Sequence, residues 1–411
     1  MKKLKKNNYI LNEGYDAKII FSGGNQSKIY FKNSKLIDFS FCSGALLLGH
    51  RSKIFLKCLK DLTKNKISPL SSPNSTAVLF SKLLKKIFPH FSKFIFCTTG
   101  SEAVLKALRI ARAISNEDLI ISVTGSWHGS NDKTLFSTNK KMASVPLSGG
   151  LSKFDQKNIK FIPYNNLKES KKILDKYKSK IGAIIIEPIQ GGLPLKNIKT
   201  YLKFLKNYSK KNKKILIFDE IITGLRCDGK SVQNLYHVEP DISLFGKSFG
   251  GGMPIGVIGI SKKIENLLKN KNVYLGGTFS GNSISTYFGY ATTKFIIKNK
   301  KKIFEDLENK SKYFYNKVSN YIGENNFKVQ IFRFKSMLRI IFSDKIIENR
   351  IQRDFFERKN KKKMENFRNY LFEKKIYYPK NGIIFISTQH KYKDLDLSIK
   401  FFNLGLKKFF R

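Results

Sequence analysis

The sequence predicts an α/β protein, with a large domain on a mostly parallel central sheet and a small α+β lobe formed by the N- and C-terminal segments. Three observations lead there. Between about Leu46 and Gly289, short apolar runs alternate with helical stretches, the rhythm of strands joined by crossover helices. Two of the runs, Gly182–Glu187 (GAIIIE) and Lys214–Phe218 (KILIF), are continuously apolar, as strands covered on both faces are. From about Thr292 onward the texture changes to long basic helices with a few strand candidates. The expected divisions are 1–45 for the N-terminal part of the lobe, 46–290 for the large domain and 291–411 for the C-terminal small domain.

In chain order, Ala17–Ser40 reads as a small β unit. Within it, Lys28–Phe31 and Lys35–Phe39 flank Lys32-Asn33-Ser34, a hairpin turn. Ser101–Ile114 reads as a helix with Ser101 placed to cap it. Leu119–Val123 and Ile159–Pro163 read as strands, and Ile198–Lys211 as the helical crossover between the two fully apolar ones. Strand candidates follow at Lys328–Phe342, a helix around Lys362–Glu373, a strand at Ile383–Ser387 and a last helix over Asp394–Phe410. The lysine-rich Glu357–Lys363 stretch reads as a solvated loop or a helix start. No internal repeat is found.

Composition narrows the function classes. The 411 residues exceed what one simple core needs, and 41% hydrophobic content with 35 Phe and 18 Tyr excludes a disordered chain. The formal charge is +48, which raises nucleic acid as a partner. The lysines, however, are spread along the chain, as at Lys2–Lys6, Lys168–Lys180, Lys206–Lys214 and Lys298–Lys302. Lys, Ile, Asn and Phe are abundant together, as AT-rich codon usage would make them. We therefore read the charge as a composition bias on solvated faces. A basic nucleic-acid-binding protein on an enzyme scaffold stays as a remote alternative. The four cysteines, Cys42, Cys58, Cys97 and Cys227, form no CxxC pair and no cluster with His. No disulfide framework or metal site is expected, and a reducing cytoplasm fits. Met1–Asn8 is basic and polar with no apolar stretch behind it, so no signal peptide is expected. No apolar run reaches the length that crosses a bilayer.

Four stretches carry chemistry-bearing residues. In Thr98-Thr99-Gly100-Ser101-Glu102-Ala103, small hydroxyl residues precede a helix. Free backbone N–H groups and the helix dipole can cradle a phosphate there, although an ordinary N-cap uses the same residues. Ser126-Trp127-His128-Gly129 follows a strand and holds the sole Trp, either a core plug or a flat lid on an aromatic ring. In Ile217-Phe218-Asp219-Glu220 an acidic pair ends an apolar strand. It serves either as the N-cap of a helix over Ile221–Leu225 or as a carboxylate facing a cationic nitrogen. A metal reading lacks a His/Asp cluster. In Leu244–Gly252 (LFGKSFGGG), Lys247 ends an apolar strand and enters a triple-glycine loop. Burial there would lower its pKa and make its amine nucleophilic, and the glycines would let backbone approach a ligand. An ordinary loop lysine is the other reading.

Taken together and in this order, these stretches resemble the class-III aminotransferases, pyridoxal-phosphate-dependent transferases of fold type I. Within that family they resemble the branch containing glutamate-1-semialdehyde 2,1-aminomutase. The matching stretches are Thr98–Arg112, Trp127–Gly129, Ile184–Pro188, Phe218–Arg226, Pro240–Gly256 and Gly276–Asn282, with Leu47-Leu48-Gly49-His50 near the start. Agreement is good over roughly 10–300 and weak in the C-terminal lobe.

The resemblance implies pyridoxal 5′-phosphate as cofactor, bonded to Lys247 as a Schiff base, with Asp219 paired to the ring nitrogen. A protonated ring withdraws electrons from the substrate carbon as it loses its proton, and a buried carboxylate keeps the ring protonated. Lys247, once displaced, would move that proton. The resemblance further implies that Trp127 stacks on the ring and that Ile221 packs on its other face. Thr99, Gly100 and Ser101 would bind the phosphate, and Thr278 would reach the phosphate of a neighbouring subunit in a homodimer. Glu187 and His128 would line the pocket or support residues that do. Arg226 would hold a substrate carboxylate or a structural salt bridge.

Two reactions fit the family. One is transfer of an amino group from a small-molecule donor to an aldehyde or ketone acceptor. The other is the aminomutase reaction, which moves it between adjacent carbons of one substrate. The sequence departs from the mutase pattern at two places. Pro146-Leu147-Ser148-Gly149-Gly150 stands where an Ala-Gly-Ser-Gly loop is expected, and Asn381 or Gly382 stands where a glutamate is expected, before Phe385-Ile386-Ser387 and His390. The expectation is therefore an aminotransferase of unassigned donor and acceptor, with the aminomutase as the alternative.

Overall fold

The computed structural model describes residues 19–70, 73–139 and 141–410. The chain divides into two units. The larger comprises Lys57–Gly191 and Leu195–Lys300, and the smaller lies within Met1–Leu56, Gly192–Pro194 and Lys301–Arg411. Ala17, Lys18 and the basic start of the chain lie outside the described residues.

The smaller unit opens with β1 (Phe21–Asn25), β2 (Lys28–Phe31) and β3 (Ser34–Asp38), joined antiparallel. The expected hairpin is present.

The larger unit holds β4 (Phe91–Cys97), β5 (Leu119–Val123), a small hairpin of β6 (Phe136–Thr138) and β7 (Ser144–Pro146), and β8 (Ile159–Ile162). It continues with β9 (Ile181–Ile186), β10 (Ile215–Asp219), β11 (Ile242–Gly246) and β12 (Gly256–Ser261). Seven of these form one sheet in the order β4-β12-β11-β10-β9-β5-β8. Only β12 runs against its neighbours, so the sheet is mostly parallel. This is the α/β architecture expected, and it has a physical cause. β9 and β10 are buried along their whole length, which needs helices on both faces. The helix Lys199–Lys211 makes the crossover between them.

On one face the helix Gly100–Ser115 lays down Ala103, Val104, Ala107, Leu108 and Ala111. They join one core with Ile120, Ile185, Ile217, Leu244 and Ile258 of five strands. Small residues at helical spacing let this helix sit close on the β-branched surface.

The smaller unit is completed by β13 (Gln330–Phe334), β14 (Met337–Ile341), β15 (Ile376–Tyr377) and β16 (Ile383–Phe385). β15 adds to β3, and β13-β14-β16 form a second sheet. The helix Tyr392–Phe410 follows.

Two local expectations need correction. Thr99, not Ser101, caps the helix Gly100–Ser115, its hydroxyl accepting the Glu102 N–H at 3.1 Å. Ile221–Leu225 forms successive turns rather than a helix. Of the two readings of Glu357–Lys363, the helix start holds: the stretch spans the end of the helix Arg350–Lys359 and the start of Lys361–Glu373. No helix among the described residues is long and apolar enough to cross a membrane.

Candidate active site

Adjacent parallel strands bring the chemistry-bearing residues to one edge of the large sheet. Lys247 follows β11, Asp219 ends β10, Glu187 follows β9, and Trp127 and His128 lie just beyond β5. These four strands are consecutive in the sheet. The carboxyl ends of parallel strands are where ligands bind in such folds.

Asp219 is 5% exposed. Its Oδ2 lies 2.7 Å from Nδ1 of His128, and its Oδ1 accepts the Ile221 N–H at 3.1 Å. Its neighbour Glu220 faces the other way. That carboxylate is fully buried and accepts from Val232 N–H, Gln233 N–H and the Thr223 hydroxyl at 2.7, 2.9 and 2.8 Å. Burial pushes its pKa up, against those hydrogen bonds. The acidic pair thus splits: Asp219 lies at the sheet edge, and Glu220 ties down the start of the next helix, Val232–Tyr236.

Glu187 is buried, and its two oxygens accept Trp127 N–H at 2.6 Å and Gly191 N–H at 3.2 Å. Trp127 itself is 48% exposed, so it is not a core plug. Lys247 is half-buried at the start of a short 3₁₀ turn, with φ +47. A non-glycine residue in the left-handed region marks a constrained position.

The Thr99 turn follows β4, two strands from β11, and β12 spans the gap. Gly256 of β12 pairs with Gly246 on one side and Cys97 on the other. A Cβ there would sit 2.2 Å from the Thr99 carbonyl oxygen, so only glycine allows the Thr99 turn to approach the Lys247 strand this closely. Sequence reading included Gly256 in a motif without assigning this role. Ser101, released from capping, accepts the Ser130 N–H at 3.1 Å and so joins the Thr99 turn to the Trp127 loop. Gly129, at φ +86, permits this, since a Cβ there would meet the Ser101 hydroxyl. Ile221 packs close to Gly100.

Two expected residues lie outside the strand ends that form this edge. Thr278 is exposed, in a segment without helix or strand. Arg226 is 1% exposed, its Nε donating to the Ile222 carbonyl at 2.9 Å, and burial lowers its pKa to about 10. That placement favours a structural role over a substrate ligand.

The fold and this edge define a transferase of the pyridoxal-phosphate type, and the comparisons agree. The model of the class-III aminotransferases matches residues 19–359, and the chain belongs to that family. It is 31% identical over 386 residues to the glutamate-1-semialdehyde 2,1-aminomutase of Archaeoglobus fulgidus, covering 92% of this chain and 90% of that one. It is 33% identical over 380 residues to the enzyme of the same name from Wigglesworthia glossinidia brevipalpis, covering 89% and 85%. Among solved structures, an omega-transaminase from Sphaerobacter thermophilus superposes with TM-score 0.85 at 20% identity, covering 96% of this chain and 92% of that one. A glutamate-1-semialdehyde-aminomutase from Pseudomonas aeruginosa gives 0.86 at 16%, covering 95% and 88%.

The chain is therefore an enzyme of the aminotransferase and aminomutase kind, and its cofactor is pyridoxal 5′-phosphate. The residues at the edge fit that group. A helix of 16 residues starts behind Thr99 with N–H groups available to an anion. A buried carboxylate is present to face a protonated ring nitrogen. His128 Nε2 is buried with no hydrogen-bond partner among the described atoms, a sign that a polar group is still to be accommodated nearby.

Proposed function

We propose that this enzyme passes an amino group from a small-molecule donor to an aldehyde or ketone acceptor, with Lys247 bonded to the cofactor and Asp219 facing its ring nitrogen. The observation that carries this reading is the buried Asp219–His128 pair, 2.7 Å apart, with Asp219 at the end of the strand next to that of Lys247. When bound, pyridoxal phosphate supplies a ring that stabilises negative charge on the substrate carbon losing its proton.

The chain's own groups do the rest. Asp219, buried, holds the ring nitrogen protonated. His128 orients that carboxylate, and Ile221 N–H fixes its second oxygen. The amine of Lys247 would take the proton from the substrate carbon and deliver it to C4′ of the cofactor. Backbone N–H groups at Thr99, Gly100 and Ser101 bind the phosphate. Trp127 covers one ring face and Ile221 the other, while Glu187 holds the Trp127 backbone.

The active form in this reading is a homodimer in the cytoplasm. Exposed Tyr274 and Phe279 (74% and 58%) flank Thr278, which suits a segment that covers a partner's phosphate.

A second reading, the aminomutase, draws support from the names of the relatives at about 30% identity. Residue chemistry weighs against it. Neither Asn381 nor Gly382 supplies the acid expected there, and Gly382 sits at φ +73, which residues with a side chain rarely adopt. Pro146–Gly150 replaces the expected loop. Glutamate-1-semialdehyde separates the two. Formation of 5-aminolevulinate at a rate comparable to turnover, with no added donor, overturns the aminotransferase reading. Conversion of the cofactor to its amino form by single amino acids, followed at its absorbance bands, supports it.

A further inference from the structure

One buried lysine belongs to none of the roles above. Lys106 lies on the helix Gly100–Ser115, two turns from its start, and is 3% exposed. A lysine is seldom buried unless paired. Its Nζ lies 2.6 Å from Glu102 Oε1 and donates to the Ser280 hydroxyl at 3.1 Å. The Ser280 hydroxyl in turn donates to the same Glu102 oxygen at 3.1 Å. The other Glu102 oxygen accepts the Thr98 N–H at 2.7 Å.

This triangle connects two segments of different kinds. Thr98 leads into the turn at Thr99–Ser101. Ser280 closes the irregular stretch that carries Thr278. The opposite end of that stretch is tied to the same helix, Arg109 donating to the Tyr274 carbonyl at 2.6 Å. Both ends are therefore fixed on one helix; between them Leu275 packs against the core, and exposed Thr278 lies in a turn closed by the Ser280 N–H on the Gly277 carbonyl at 2.9 Å.

We propose that Glu102, Lys106 and Ser280 are positioning residues that set two phosphate-contacting segments against each other: the subunit's own Thr99 turn and the Thr278 loop that serves its partner. The proposal rests on the functional reading above. Burial of Glu102 raises its pKa, but hydrogen bonds from Lys106, Thr98 N–H and Ser280 outweigh that and leave it lowered. The carboxylate is thus charged near neutral pH, and the triangle keeps its ionic character. Lys106 does not touch the phosphate in this scheme. It neutralises Glu102, so that one carboxylate can hold Thr98 and Ser280 at once.

The test compares pyridoxal phosphate with pyridoxal, which lacks the phosphate, by titrating each into the apoprotein and following quenching of the sole Trp. Lys106→Met and Ser280→Ala should weaken pyridoxal phosphate binding about 10- to 100-fold and about 3- to 10-fold. Pyridoxal affinity should stay within about twofold, and Lys106→Arg should restore most of the loss. The Ser280→Ala arm stands even where Lys106→Met does not fold. Equal losses for both ligands, or no loss for either, overturn the proposal. A wild-type protein that binds the phosphorylated form no better than pyridoxal overturns the functional reading itself.

Discussion

His128 and Asp219 meet at 2.7 Å across the carboxyl ends of β5 and β10, with β9 between those two strands. Both are buried, and the second imidazole nitrogen has no partner among the described atoms. The pair fixes one carboxylate oxygen before any ligand arrives, and Ile221 N–H fixes the other. Such preorganisation removes reorganisation from the reacting step.

Replacing His128 should therefore slow chemistry more than it weakens binding. A hydrogen bond to a charged group contributes about 1.5–3 kcal/mol, so His128→Phe should lower kcat about 10- to 100-fold. KM should move less than about threefold, since the carboxylate remains. His128→Asn, which can still donate to Asp219, should recover part of the loss. Steady-state kinetics on the three proteins check this, and a pure KM effect counts against it.

Asp219 and Lys247 carry heavier consequences. Asp219→Asn keeps volume and removes charge, and should lower kcat about 10²- to 10³-fold with the fold intact by circular dichroism. Lys247→Ala removes the amine proposed to bind the cofactor and move the proton. It should lower turnover at least about 10²- to 10⁴-fold and leave no lysine at 247 to be labelled after borohydride treatment. A colourless wild-type protein after soaking in pyridoxal phosphate would sink the assignment of both residues.

Much of this edge was legible because its residues sit in continuous stretches. Glu187, Asp219 and Lys247 stand at the ends of apolar runs, and a parallel sheet places such ends side by side. The strand limits at β5 and β2 followed from the same patterning. What could not be read depended on contacts between distant segments. Ser101 and Thr99 are both good caps in isolation, and only the proximity of Ser130 decides that Ser101 is used elsewhere. Glu220 looked like half of an acidic site until Val232 and Gln233, 12 and 13 residues on, took its oxygens. Lys106 was indistinguishable from the many solvated lysines, because nothing local announces that Ser280, 174 residues away, will bury it. The Glu357–Lys363 stretch is charged enough to pass for a loop, yet Phe367 and Leu371 on the second helix are buried and hold it.

The split of the acidic pair gives a prediction of its own. Glu220→Gln keeps the shape but loses the charge that accepts two backbone N–H groups and a hydroxyl, and it adds a donor to a buried site. Stability should fall by about 1–3 kcal/mol, read as a lower midpoint in urea. The kcat of the folded fraction should stay within about threefold of wild type, since Glu220 faces away from the sheet edge. A large kcat loss with unchanged stability would reverse the roles assigned to 219 and 220.

Acid sensitivity should trace in part to His390, in the smaller unit. Its ring is fully buried and stacks on Phe39 with centroids 4.9 Å apart. Nδ1 accepts the Ser387 N–H at 3.2 Å, which leaves Nε2 to donate to the Asp38 carbonyl at 3.1 Å. That arrangement is satisfied only by the neutral ring. Burial, the largest influence, drives the pKa from 6.5 to about 3. Below pH ~6.5 the unfolded chain binds a proton that the folded chain refuses, so stability falls as pH falls, by up to about 1.4 kcal/mol per unit until the folded group titrates. Above pH ~6.5 the group has no effect. Carboxylates held low in the folded state, such as Glu102 and Asp394, lose their contribution only at more acid pH; burial also lowers the pKa of His90, so the difference between wild type and a His390 variant is what isolates this residue. His390→Gln, neutral throughout, should be less stable than wild type at pH 7.5 but lose less on going to pH 5. Thermal midpoints of the two proteins at pH 7.5, 6 and 5 should therefore converge, and parallel curves would remove His390 from the account.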